Sequence, residues 1–120
     1  MESELDLLLG TAIDSLMKLE ILLYFQAQPG VVKRPQEISS ELRRSVSEVQ
    51  GGLDELAQAG LIDRFSIGTG RHVMYGPAED EHVHRLIDIL YERYSRDAAS
   101  RSQLVRTAVR QRDDPPPPGS

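Results

Sequence analysis

The chain has 120 residues, three His, no Cys and a formal net charge of −5. That length holds one modest core, and without Cys there are no disulfides, thiolate metal sites or thiol nucleophiles. No apolar run approaches the roughly 18–20 residues of a membrane span, and the acidic start Met1-Glu2-Ser3-Glu4 is unlike a basic export signal, so a cytoplasmic location away from membranes is expected.

The first predicted segment runs from about Ser3 to Gln28. Leu5, Leu8, Leu9, Ala12, Ile13 and Leu16 form one helical stripe that passes Gly10 without a phase shift, which fits one long helix or two abutting ones. Asp14 and Lys18 form an i, i+4 pair on its polar side. Ile21 to Phe25 is apolar all round, as in a helix centre buried in a core, and Gln28-Pro29-Gly30 ends the segment. Val31-Val32 is a candidate short strand. Pro35 opens a second helix at the position where its missing N–H costs nothing, with Ile38 and Leu42 a turn apart. After Arg43-Arg44, Ser45-Val46-Ser47-Glu48 reads as a capping box whose hydroxyl and carboxylate each satisfy the other's backbone donor. The third helix turns Val49, Leu53 and Leu56 inward and ends near Ala59-Gly60.

Leu61 to Ile67 and Arg71 to Tyr75 are two β-type runs joined by Gly68-Thr69-Gly70, a hairpin signal, and Pro77 closes the unit. Glu79-Asp80-Glu81 starts a last helix, where the helix dipole favours negative charge. Its repeat Val83, Ile87, Leu90, Tyr94, continued through Ala98, Ser102, Val105 and Val109, is a seam pattern for a partner helix. Dimerisation through Val83, Ile87, Leu90, Tyr94 and Val105, with help from Leu5, Leu8 and Leu9, is expected; the alternative is that this helix folds back on the first. Three divisions follow: residues 1–78 with the helices and hairpin, 79–112 with the last helix, and a Pro-rich tail at 113–120, read as disordered.

The stretch Glu37-Ile38-Ser39-Ser40-Glu41-Leu42, then Arg43-Arg44-Ser45-Val46-Ser47-Glu48-Val49, then Leu53 to Ile62 with its Leu56-to-Leu61 entry into the hairpin, resembles the winged helix-turn-helix regulators of the MarR and ArsR type. The resemblance covers about residues 12 to 78. It implies an α+β, mostly α fold of winged helix-turn-helix shape (α-α-α-β-β wing) with an N-terminal helical extension and a long C-terminal dimerisation helix. It also implies a homodimeric, DNA-binding transcription regulator whose third helix enters the major groove of double-stranded DNA.

The positions that the resemblance presents to DNA are Val46, Ser47, Gln50, Gly51 and Asp54, with Arg43, Arg44 and Ser45 in the turn before them and Arg71 and His72 past the hairpin tip. Gln50 is suited to pair bidentately with adenine, Ser47 to bond a base or a phosphate, and Arg43 and Arg44 to meet phosphates. Yet the third helix carries Glu48, Asp54 and Glu55 with no Lys or Arg, and Gly51-Gly52 stands where family members place basic or large polar residues. A protein-interaction module that does not bind DNA is the alternative, docking through this acidic helix or through the last helix. Residues 1–60 carry five basic and ten acidic side chains, whereas residues 83–112 carry seven Arg against three acids.

Asp80 and His82 match half of the Asp-x-His pattern with which ArsR-type sensors hold zinc, but Arg93 stands eleven residues after His82 and the other half is missing. No metal or other cofactor is expected. Three His, no Cys and no Gly-rich loop leading into a helix leave no nucleophile–base set, so neither a catalytic residue nor enzyme activity is expected.

Overall fold

The apolar stripe of the first segment does not run through one helix. In the computed structural model, which describes residues 2–68 and 72–109, α1 spans Glu2–Leu8 and α2 spans Leu16–Gln26. Between them Gly10 takes φ +92°, a conformation that side-chain-bearing residues rarely adopt. Its N–H donates to Ile13 O (2.8 Å), and the Ile13 N–H returns to Leu8 O (2.9 Å). Ser15 then caps α2 by accepting the Lys18 N–H at 3.1 Å. Leu5, Leu9 and Ile13 remain buried across the break, so the stripe serves one core through two helices.

The all-round apolar stretch of α2 lies at the centre of the molecule, with Leu19, Ile21, Leu22 and Phe25 buried and α4, α5, α6 and β2 packed around it. Gly30, at φ +79°, turns the chain after Pro29. The strand expected at Val31-Val32 is a single antiparallel bridge at Lys33, which exchanges both 2.8 Å backbone bonds with Tyr75. Helix α3 (Pro35–Leu42) has Pro35 at its first position and ends on Arg43, which is left-handed at φ 57°. Helix α4 (Val46–Gln58) is capped by Ser45, though only half of the expected capping box forms. Ser45 Oγ accepts from the Glu48 N–H (3.3 Å), while the Glu48 carboxylate accepts from the Ser45 hydroxyl (3.1 Å) rather than from the Ser45 N–H.

Strands β1 (Ile62–Ile67) and β2 (His72–Pro77) pair antiparallel, with Arg64 opposite Tyr75 and Ser66 opposite Val73. Directly opposed residues share a face, so Tyr75 and Arg64 lie on one side of the ribbon. The C-terminal part is two helices, α5 (Glu81–Arg96) and α6 (Ala98–Val109), where one long helix was expected. Asp97 is extended at φ −164° and its carboxylate accepts the Ser100 N–H at 2.7 Å, so it starts a new helix instead of continuing the old one. Asp113 to Ser120, with the tail, lies outside the described residues.

Among the described residues the protein is therefore α+β and mostly helical, with six helices and one two-stranded hairpin, an order compatible with a winged-helix-like layout. Leu86, Ile87, Leu90, Leu104 and Ala108 join the same core as Leu5, Leu22, Leu53 and Tyr75. This corrects the reading of the seam. Ile87 and Leu90 are buried, and Val83, Tyr94 and Val105 pack half-buried against the core. The apolar side of α5 packs against α1, α2 and α6 of its own chain, the fold-back arrangement. No helix among the described residues is long and apolar enough to cross a membrane.

Candidate nucleic-acid interface

Helix α4 turns Val49, Gly52, Leu53 and Leu56 into the core. Its opposite side exposes Val46, Ser47, Glu48, Gly51, Glu55 and Gln58, and Gln50 and Asp54 are half-buried along one margin. Gly52 packs against α2: a Cβ there would stand 2.8 Å from Met17 Cε and 3.2 Å from Ile21 Cδ1. Gly51 meets nothing within 4 Å and leaves the outer side flat.

The sequence presents three acids on this helix, and each has a partner within the protein. Glu48 bonds Ser45 and lies 3.9 Å from Arg44 Nη1. Glu55 receives Lys18 Nζ at 2.5 Å. Asp54 Oδ1 accepts from the Tyr75 hydroxyl at 2.5 Å and from Gln50 Nε2 at 3.2 Å. The pair Asp14–Lys18 also forms (2.8 Å), but Lys18 is buried where the spacing suggested a solvated polar face. Burial alone would lower its pKa; the hydrogen bonds to Asp14 and Glu55 outweigh that and raise it. The Tyr75 hydroxyl is pushed above its ordinary value by burial first and by Asp54 second, with the Gln50 and Arg64 donors pulling the other way.

Gln50 Nε2 donates a second bond to Tyr75 Oη at 2.9 Å, so the margin of α4 nearest the hairpin is a closed Gln50–Tyr75–Asp54 set. Tyr75 went unnoticed in the sequence because its alternation reads simply as a core-facing strand residue. The structure gives it a second task, aligning two residues of α4.

The other expected contacts divide. Ser47, Gly51 and Val46 are exposed, as is Ser45 at the cap. Arg43 is exposed, makes no ion pair among the described residues, and leaves the turn in the left-handed conformation. Arg44 is half-buried and its Nε and Nη2 grip both carboxylate oxygens of Glu20 at 3.1 Å each, which raises its pKa. His72 is exposed at the start of β2 and, with Arg34, Glu37 and Gln50, lines an open groove of about 980 Å³ between α3 and the hairpin. Arg71 lies outside the described residues.

No protein-family model, curated protein or solved structure matches this chain.

The arginine run of the last segment is largely paired. Arg93 meets Asp6 at 3.0 Å, Arg96 meets Glu92 at 2.7 Å, and Arg101 stacks over the Tyr94 ring at 4.9 Å. Arg106 is exposed, and Arg110 and Arg112 lie outside the described residues. His82 bonds Glu4 at 2.7 Å and His84 lies 3.5 Å from Asp88. Among the described residues no three His, Asp or Glu side chains come together as a metal site would require.

Proposed function

We propose that this chain is a winged helix-turn-helix regulator that binds double-stranded DNA, with α4 as the helix entering the major groove and β1–β2 as the wing. One observation carries the reading: Ser47 and Gly51 of α4 are exposed, as is Arg43 in the turn before it, while Glu48, Asp54 and Glu55 all bond groups of the same chain. Acids bonded within the chain repel phosphates less than free ones, although Lys18 is shared with Asp14 and Arg44 with Glu20, so the pairing softens the objection raised by the acidic helix and leaves the cluster net negative. The regulator acts by binding rather than catalysis. It acts as a homodimer that spans two half-sites, and Leu7 of α1 and Tyr91 of α5 are among the exposed apolar positions open to that contact.

The second reading is a protein-interaction module. Two observations favour it: the net charge of −5 and the grip of Glu20 on Arg44, which weakens one expected phosphate contact. Binding to random duplex DNA, measured against salt, separates the two. A DNA regulator loses log affinity linearly with log salt, and Arg43→Ala or Arg71→Ala lowers the slope by about one unit each. Arg44→Ala lowers it less, because its charge is already matched. Absence of salt-dependent binding to any duplex pool leaves the protein module as the function.

A further inference from the structure

The arginines of the last segment divide by position. Arg93, Arg96 and Arg101 are held by Asp6, Glu92 and Tyr94, whereas Arg106 is exposed and makes no ion pair among the described residues. Arg110 and Arg112 lie outside those residues, but the point from which they start is fixed. Ala108 is fully buried, and the Thr107 carbonyl oxygen lies 3.3 Å from where a Cβ on Gly10 would stand, so the last turn of α6 is seated against the turn between α1 and α2. Val109, the next residue, borders an open groove of about 440 Å³ between α2 and α4, together with Ser47 and Gly51. Consecutive Cα atoms are 3.8 Å apart, so those of Arg110 and Arg112 are within about 4 and 11 Å of the Val109 Cα whatever path the chain takes. Arg106, three residues before Val109, is its neighbour on the surface of α6.

Cations are scarce on that flank of α4. Asp14, Glu48 and Glu55 line the groove against Lys18 and Arg44, and Glu20 behind Arg44 adds a further negative charge. Affinity for duplex DNA comes largely from Lys and Arg that release counterions from phosphates, and α4 itself carries neither. Resting on the regulator reading above, we infer that Arg106, Arg110 and Arg112 form a second phosphate-binding edge, which meets the DNA backbone on the flank of α4 that faces α2. Such contacts set the position of the duplex and carry no base preference.

The experiment is binding of the full chain to a random duplex pool over a range of salt concentrations, with Arg106→Ala, Arg110→Ala and Arg112→Ala made singly and together. Each substitution lowers the slope of log affinity against log salt by about one unit, and the three add in the combined variant. The sequences enriched from the pool stay the same. Arg96→Ala is the control: it removes an equal charge from α5, where Glu92 already matches it, and leaves the slope unchanged.

Three results would overturn the inference while leaving DNA binding intact. One is a combined variant with the slope of the natural chain. Another is an equal drop for Arg96→Ala, which would make net charge, not contact, the cause. The third is tighter binding by the combined variant, which would set these arginines on the acids of their own groove. A natural chain that shows no salt-dependent binding to duplex DNA overturns the regulator reading and this inference with it.

Discussion

Lys18 Nζ lies 2.5 Å from Glu55 Oε1, joining the first turn of α2 to the C-terminal half of α4, and 2.8 Å from Asp14 Oδ1. The lysine side chain is 5% exposed, whereas Asp14 is 22% and Glu55 is 56% exposed. Removing the cation leaves two carboxylates that water can partly reach, so the loss falls between that of a surface pair and that of a buried one. Lys18→Met is expected to cost about 2 kcal/mol in urea unfolding, and Glu55→Gln less than about 1 kcal/mol. Equal costs for the two would mean that Glu55, not burial, is what Lys18 depends on.

Adjacent glycines in α4 should respond in opposite ways. Gly51 has open space where a Cβ would go, so Gly51→Ala gains helix propensity and raises stability by roughly 0.5–1 kcal/mol. At Gly52 the added methyl would meet Met17 and Ile21, and the strain offsets that gain. Gly52→Ala should melt below Gly51→Ala by an amount corresponding to roughly 0.5–1 kcal/mol. Thermal melts of the two variants, side by side, check this.

Stability should fall on the alkaline side. Burial and the Glu41 carboxylate, which accepts the Tyr24 hydroxyl proton, push Tyr24 up to about 12, and Tyr75 and Lys18 are raised as well. A group whose folded value is raised keeps its proton in the folded state after the unfolded chain has lost it. Its contribution is therefore complete below about pH 10, the ordinary range of these groups, and is lost as pH rises through the folded values. Urea midpoints should hold from neutral pH to about pH 10 and then drop. Tyr24→Phe and Tyr75→Phe should each flatten that drop.

Leu90 tests whether the α5 seam belongs to the protomer. It is 0% exposed within a single chain, whereas Leu7 is 73% exposed. Leu90→Ala should cost 2–5 kcal/mol at any protein concentration, as core truncations do, and Leu7→Ala should change monomer stability by less than about 0.5 kcal/mol. If the loss at Leu90 shrinks on dilution, the seam faces a partner after all.

Much of the local layout was legible along the chain because it depends on neighbours a few residues apart. Pro35 at a first helical position, Ser45 before Val49, and the glycines between two β-type runs each act on their own backbone. The inward set Val49, Leu53 and Leu56 follows from the helical period alone. The breaks were harder to see. At Gly10 the apolar stripe keeps its phase through a turn, and at Asp97 no Gly or Pro marks the place where an acid caps a new helix.

By itself the sequence determined which residues are apolar, at what period, and where α3 and α4 begin, since these are properties of short stretches of chain. It also established the charges on α4. What covers the face of α5, and what engages Gln50, Asp54, Glu55 and Arg44, was decided only by tertiary structure. Burial of apolar surface has no direction, so a seam repeat does not say whose surface will cover it. The partners Tyr75, Lys18 and Glu20 lie 21–37 residues from the α4 and turn residues they hold, and only folding brings them within hydrogen-bond reach.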